Sequence, residues 1–432
     1  MPHAESSTRI NAALIAHAAD ALTRLLNFTQ PADAVLSTYF REQRQLGGRE
    51  RGFIAESCYA VLRHKRSLER LVEPAKGARR LILAALLRLS GVAQRQLSEC
   101  VSNDEKDWLL AFKARVEPEL SLAEQADLPD WLAEKLLQSC DSTQLLLLAR
   151  GLNQSAALDI RVNSLKAKRE EVMAQFTAEG IAAEPCPYSP LGIRLKTKPA
   201  LQKHPLYLSG AIEVQDEGSQ LLGYLLAPKR GEMVVDFCAG AGGKTLLLGA
   251  LMRSTGRLYA FDVSAKRLAK LKPRVARSGL SNMHPVCLDG ENDSRVKRLA
   301  GKIDRVLIDA PCSGLGTLRR NPDLKWRQTP QSIAELILKQ RSILAGAARL
   351  LKPGGRLVYA TCSILREENE SVVDDFLDAR PEFQRLSASA LLAQQGIAIA
   401  DCGEGASGLD FHLLPHRHGT DGFYAAVLEQ EK

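Results

Sequence analysis

The chain has no long hydrophobic run. Its most apolar stretch, Leu81-Ile82-Leu83-Ala84-Ala85-Leu86-Leu87, is broken by Arg88 and falls far short of the roughly 20 residues that a membrane span needs. The segment Met1-Pro2-His3-Ala4-Glu5 also lacks the basic residues and following apolar stretch of an export signal, so a cytoplasmic protein is expected. Nine cysteines are present, but there is no Cys-x-x-Cys pair and no Cys/His spacing of the kind zinc requires. Their odd number and scatter argue against a disulfide framework. Cys58, Cys100, Cys140 and Cys287 read as small core residues. No internal repeat is found.

What is present fits two or three domains. The chain has 432 residues, of which 45% are hydrophobic and 25% charged, an ordinary balance for a soluble globular protein. A formal charge of +8 and a pI near 9.0 favour a polyanionic partner such as nucleic acid, without choosing between RNA and DNA.

From Ile10 to about Cys140 the apolar residues recur at helical spacing, as at Ile10, Leu14, Ala18 and Leu22, and no strand pattern interrupts them. This part is rich in arginine. Arg41, Arg44, Arg49 and Arg51 flank Gly47-Gly48, and Arg63, His64, Lys65, Arg66 and Arg70 follow a helical stretch. Such residues serve either as a solvated helix face or as a phosphate-binding surface. Between about Gly151 and Arg230, short strands at 159–163 and 192–195 surround a helix at 168–180, which reads as a small α+β subdomain. Pro185-Cys186-Pro187-Tyr188-Ser189-Pro190 reads as a loop.

From Gly231 onward strands and helices alternate, the pattern of a doubly wound α/β sheet. Lys352-Pro353-Gly354-Gly355 reads as the turn between a long helix and the strand that ends at Cys362. The expected division is 1–145 helical, 146–230 small α+β and 231–432 the larger α/β domain.

Three motifs close short apolar runs in that last part: Asp236-Phe237-Cys238-Ala239-Gly240-Ala241-Gly242-Gly243-Lys244-Thr245, Asp309-Ala310-Pro311-Cys312 and Thr361-Cys362-Ser363. They should share the carboxyl edge of one parallel sheet, where open α/β folds keep their ligands. The glycine turn follows a strand and opens a helix, so its backbone can approach a ligand closely. It matches neither Gly-x-Gly-x-x-Gly nor Gly-x-x-x-x-Gly-Lys-[Ser/Thr], which disfavours a dinucleotide or ATP relative to S-adenosylmethionine. Asp262 ends the next strand, from which a carboxylate reaches ribose hydroxyls. Asp289 ends the third, where it or its neighbours can meet an adenine amino group.

The two cysteines suit attack on a pyrimidine. Carbon 5 of cytosine becomes nucleophilic only after a thiolate adds to carbon 6, and a thiolate needs an electropositive setting such as Lys244 or a helix terminus. Spacing does not say which cysteine attacks.

Arg161-Val162-Asn163, Val214-Gln215-Asp216-Glu217-Gly218-Ser219, Cys238 to Thr245, Asp309 to Gly314, Arg320-Asn321-Pro322, Thr361-Cys362-Ser363 and Asp421-Gly422-Phe423 together resemble the Nop/Sun family of RNA cytosine-5 methyltransferases. The resemblance runs from about Arg161 to the end. The helical front is similar to the antitermination-factor-like RNA-binding domain of the family's ribosomal RNA members. It implies a Rossmann-like S-adenosylmethionine-dependent methyltransferase sheet with a small α+β subdomain and an N-terminal helical RNA-binding domain.

By the same resemblance Cys362 is the nucleophile, and Cys312 assists product release. Asp309 would contact the cytosine at N3 or its amino group, and Lys244 would help orient the base. Cofactor contacts are expected from Cys238, Ala239, Gly240, Ala241, Gly242, Gly243, Lys244, Asp262, Arg267, Asp289 and Asp309. The cytosine must be unstacked, so single-stranded or loop RNA is the expected partner. The basic front favours ribosomal RNA. The alternatives are the same chemistry on transfer RNA, or a catalytically silent RNA-binding assembly factor. A monomer without DNA, membrane or metal partners is expected.

The cofactor turn departs from the family's usual Ala-Ala-Pro-Gly-Gly-Lys, since Ala239-Gly240-Ala241-Gly242-Gly243-Lys244 has no proline. Arg319 to Arg327 mixes cations with Trp326, which suits either phosphate contact and base stacking or plain packing. Phe411 to His418 holds three histidines without a completing carboxylate or thiol, and reads as a structural, RNA-facing segment.

Overall fold

The computed structural model describes residues 10–115, 118–403 and 408–431. Met1 to Glu5, on which the expectation about export rests, lie outside the described residues. Among those described, no helix is long and apolar enough to cross a membrane. The chain forms two compact units, one comprising the residues up to Gln154 with Leu318–Thr329, the other Ser155–Thr317 with Pro330 to the end.

The first unit is helical throughout its described residues. Helices Ala12–Leu25, Gly48–Arg63 and Ala78–Arg88 supply most of its core, including Leu22, Ile54, Leu62 and Ile82. Two helix starts in this unit, those of Ala12–Leu25 and Asn103–Ala114, are specified locally. Asn11 accepts from the Leu14 N–H, and Ser102 with Glu105 forms a reciprocal cap that satisfies two otherwise orphaned donors. Several arginines are tied down here: Arg63 donates to the Arg319 carbonyl, and Arg66 to the Leu128 carbonyl and Asp130. Arg41, Arg44 and Arg49 remain exposed. Trp326 packs against this core, and its Nε1 donates to the Leu62 carbonyl at 2.8 Å.

The second unit holds two sheets. The smaller is antiparallel, in the order β2-β3-β1-β4, from β1 (Leu158–Val162), β2 (Ala183–Pro185), β3 (Gly192–Leu195) and β4 (Ile212–Val214). Helix Arg169–Ala178 contributes Val172 and Phe176 to its core. Strands β2 and β4 are three residues long, too short to give an alternating pattern in the sequence.

The larger sheet contains β5 (Met233–Asp236), β6 (Arg257–Asp262), β7 (Met283–Cys287), β8 (Ile303–Asp309), β9 (Leu351–Thr361), β10 (Phe383–Leu386), β11 (Phe411–Leu413) and β12 (Phe423–Gln430). Its order is β10-β12-β9-β8-β5-β6-β7, with β11 against β12. The pairs among β5 to β9 are parallel, while β12 is antiparallel to β9, β10 and β11. Both faces are buried, and side chains alternate between two cores. Val306, Ile308, Leu357 and Tyr359 face helices Pro330–Ala348 and Glu370–Ala379, whereas Leu307, Val358 and Ala360 face Glu217–Leu226 and Gly243–Leu251.

Two expectations change. Lys352-Pro353-Gly354-Gly355 is not a turn before the strand but an irregularity within β9. Leu351 pairs with Ile303 and Arg356 with Arg305, so four residues bulge out, with Gly354 at φ +72°. Cys287 is exposed rather than in the core, because β7 is the edge strand. Cys58 is buried, and Cys100 and Cys140 are half-buried.

Candidate active site

Strands β5, β6, β8 and β9 run parallel, so the loops after them gather at one edge around a cavity of about 390 Å³. The glycine turn after β5 forms one wall. Gly240 and Gly242 sit at φ +56° and +84°, the left-handed region that side chains with a Cβ rarely adopt. At Gly242 a Cβ would also fall 2.1 Å from Leu271 Cδ1.

The turn is held from outside as well as from within. Asp262 Oδ2 accepts the Gly240 N–H at 2.8 Å, and Arg267 pairs with its other oxygen at 3.1 Å. Arg274 donates to the Ala241 carbonyl at 2.7 Å, and Arg161 to the Gly243 carbonyl at 3.1 Å. Glu213 in turn grips both Arg274 and Arg277. Arg161, in the Arg-Val-Asn motif of β1, thus buttresses the turn from the smaller sheet. Asn163 of the same motif donates to the Gly210 and Ser278 carbonyls.

Two buried acceptors at the cavity wall, Asp236 Oδ1 and Gln215 Oε1, have no hydrogen-bond partner among the described residues. Burial raises the Asp236 carboxyl to about 7, although Thr245 donates to its other oxygen at 2.6 Å. Burial, beside three aspartates, also pushes the Cys238 thiol far above its ordinary range.

The same cavity carries Lys244, Asp309 and two cysteines. Lys244 Nζ lies 2.7 Å from Asp309 Oδ2 and 5.8 Å from the centre of the Phe423 ring. Burial acts to lower this amine, but the charge and hydrogen bond of Asp309 together with the charges of Cys362 and Asp236 outweigh it and leave Lys244 above its ordinary value. Lys244 therefore stays a cation. Cys312 Sγ and Cys362 Sγ are 3.4 Å apart as free thiols. The hydrogen bond to Cys362, burial and the negative charges of Cys362 and Glu368 hold the Cys312 thiol well above its usual range.

Of the residues expected to bind a cofactor, Cys238, Ala239, Gly240, Ala241, Gly243, Lys244, Asp262, Arg267 and Asp309 line this cavity, as do Cys312 and Cys362. Gly242 and Asp289 do not. Gly242 acts through its backbone conformation. The Asp289 side chain is 98% exposed beside Arg295, and its neighbours Leu288, Gly290 and Glu291 take its place at the wall. Trp326 belongs to the helical unit's packing, and His418 accepts from the Leu414 N–H, a local structural bond.

Sequence reasoning gave no role to Gln215, Asp236, Arg274 or Glu368. Only Gln215 and Asp236 fall within motifs singled out there.

Residues 223–429 match the family model described as 16S rRNA methyltransferase RsmB/F, and residues 128–202 match the ferredoxin-like domain of RsmF/B-like methyltransferases. A probable ribosomal RNA small subunit methyltransferase B of Synechocystis sp. is 33% identical over 423 residues, 90% of this chain and 93% of that protein. The ribosomal RNA small subunit methyltransferase B of Sodalis glossinidius is 32% identical over 96% of this chain and 97% of its own length. Among solved structures, a methyltransferase homologue from Pyrococcus horikoshii superposes with a TM-score of 0.60 at 27% identity, over 72% of this chain and 97% of that one.

Proposed function

Because the chain belongs to the RsmB/F family of 16S rRNA methyltransferases, we propose that it methylates carbon 5 of a cytosine in small-subunit ribosomal RNA, with Cys362 as the attacking thiol. It is an RNA methyltransferase that uses S-adenosylmethionine. The observation that carries the finer reading is the convergence of Lys244, Asp309, Cys312 and Cys362 on one cavity that the glycine turn also lines.

The cavity suits the cofactor. The turn presents backbone without side-chain obstruction, Asp262 ends β6 where ribose hydroxyls are met, and the two unpartnered acceptors on Gln215 and Asp236 suit an ammonium group. S-adenosylmethionine supplies an electrophilic methyl group on a sulfonium. The Cys238 to Lys244 turn, Asp262 and Arg267 would hold it.

The protein's own residues prepare the cytosine. Asp309 would contact its N3 or amino edge, accepting from the amino group, and Lys244 holds Asp309 in place. Lys244 also supplies a positive charge near Cys362. Addition of Cys362 to carbon 6 moves an electron pair to carbon 5, which takes the methyl group. In release, the carbon 5 proton leaves to water, the double bond re-forms and the C–S pair returns to Cys362. Cys312, held as a thiol 3.4 Å away, donates its S–H to the departing sulfur. The helical unit, with Arg41, Arg44 and Arg49 exposed, would grip the RNA backbone, and the protein would act as a monomer on RNA.

The test is bisulfite sequencing of total RNA from a strain lacking the protein, complemented with the intact chain or with Cys362→Ala. One ribosomal cytosine should lose its protection and regain it only with the intact chain. A response confined to a transfer RNA position would refute the ribosomal assignment, and restoration by Cys362→Ala would refute the nucleophile.

A further inference from the structure

Between the two cysteine loops lies a carboxylate that no part of the proposed chemistry uses. Glu368 is completely buried, and its carboxylate accepts several hydrogen bonds. Its Oε1 accepts from the Ser313 N–H at 2.8 Å and from Gln340 Nε2 at 3.0 Å. Its Oε2 accepts from the Ser313 and Ser363 hydroxyls, both at 2.5 Å. Ser313 and Ser363 directly follow Cys312 and Cys362. Gln340 also donates to the carbonyl of Pro311, on the other side of Cys312, at 3.0 Å. The Glu368 carbonyl is itself fixed by the Tyr359 hydroxyl at 2.7 Å.

The two loops depend on this carboxylate unequally. The Cys362 loop has anchors of its own. Thr361 Oγ1 accepts the Ser363 N–H at 3.2 Å, and Asn369 donates to the Ser363 carbonyl at 3.1 Å. On the Cys312 side, the Ser313 N–H ends on Glu368, the Ser313 hydroxyl is shared between Glu368 and the Ser363 hydroxyl, and Gln340, which holds Pro311, donates to Glu368 as well.

We propose that Glu368 is the positioning residue for Cys312, holding its thiol against Cys362 and thereby serving product release rather than attack. The inference rests on the assignment of Cys312 to release made above. Loss of Glu368 should free the Cys312 loop while Cys362 stays anchored, so attack and methyl transfer proceed and the enzyme then remains bound to its product.

The experiment uses the full chain, full-length 16S ribosomal RNA and radiolabelled S-adenosylmethionine. It follows the first turnover, steady turnover and the covalent protein–RNA band on a denaturing gel. Glu368→Ala is expected to raise the covalent fraction at least about tenfold and lower steady turnover to match, with the first turnover within about threefold of wild type. Glu368→Gln should restore turnover, because its amide oxygen accepts from the Ser313 N–H and Gln340 while its NH₂ donates to the two hydroxyls. A merely structural role would lower first turnover and covalent band together. That outcome, or a wild-type covalent fraction in Glu368→Ala, overturns the proposal.

If Glu368→Ala does not fold, Ser313→Ala decides, since it removes one donor and leaves the carboxylate. It should raise the covalent fraction, and a wild-type fraction overturns the proposal. Cys312→Ala is the control. If it accumulates adduct and the Glu368 and Ser313 variants do not, the inference about Glu368 alone falls. If Cys312→Ala accumulates none, the assignment of Cys312 to release falls, and the role of Glu368 with it.

Discussion

Cys312 and Cys362, fifty residues apart in sequence, meet with their sulfurs at 3.4 Å because adjacent parallel strands β8 and β9 end side by side. Asp309 pairs with Ala360 in that ladder, so each cysteine lies two or three residues beyond a paired position. In the proposed mechanism the two thiols act as one unit. Cys362→Ala is expected to reduce methyl transfer roughly 10³-fold or more, with S-adenosylmethionine affinity unchanged. Cys312→Ala should leave a covalent RNA adduct, and Cys312→Ala/Cys362→Ala should abolish it. A denaturing gel with labelled RNA distinguishes the three.

Lys244 and Asp309 form the second pair, and Lys244 is nearly enclosed. Lys244→Met removes the cation beside both Asp309 and the thiols. It should lower kcat/KM about 10²-fold or more, the scale of a misplaced reacting group. Lys244→Arg should not rescue it, because the longer, planar side chain does not fit the same enclosed place. Steady-state kinetics on the same RNA measure both.

Gly242→Ala tests the cofactor turn. The left-handed φ of +84° costs an alanine about 1–2 kcal/mol, and its Cβ must also displace Leu271. Affinity for S-adenosylmethionine should fall about tenfold or more by isothermal titration. Gly52→Ala is the contrasting substitution, since Gly52 lies inside helix Gly48–Arg63 and a Cβ there meets nothing within 4 Å. It should raise the stability of the helical unit by up to about 1 kcal/mol and leave cofactor binding alone.

Asp236 gives a pH signature. Its carboxyl is raised to about 7 in the folded, ligand-free protein, above the unfolded value of 3.8. Between these values the native state keeps a proton that the unfolded chain releases, so stability falls as pH rises through this window and levels off above it. Asp236→Asn keeps an acceptor for Thr245 and removes this dependence. It should match wild type near pH 4 and be more stable at pH 8 by about 1–4 kcal/mol in urea unfolding.

Much of the larger sheet and its cavity edge was legible in the chain. Short apolar runs ending in Asp236, Asp262, Asp309 and Thr361 report strands buried on both faces, and the glycine turn reports close backbone approach. Glu368 was not legible. Arg366-Glu367-Glu368-Asn369-Glu370 has the composition of a solvated helix start, and only the approach of two loops and Gln340 makes its middle carboxylate a buried acceptor. Arg274 likewise lies in a helix rich in basic residues, where nothing in the spacing separates the one that holds the Ala241 carbonyl from its exposed neighbours. Asp289 erred in the other direction. Ending a strand region places a residue at the right edge, but the side chain's direction is set by the turn that follows.

The sequence by itself determined which of the longer segments become strands and helices, and which chemical groups close them, because hydrophobic period and turn residues act over a few positions. Tertiary structure decided which of those groups meet. Parallel strand pairing brought Cys312 to Cys362 and Lys244 to Asp309, burial selected Glu368, and a hydrogen bond to the Ala241 carbonyl selected Arg274, from runs of like residues. Contact across fifty or a hundred residues depends on the register and packing of whole elements, which no local pattern encodes.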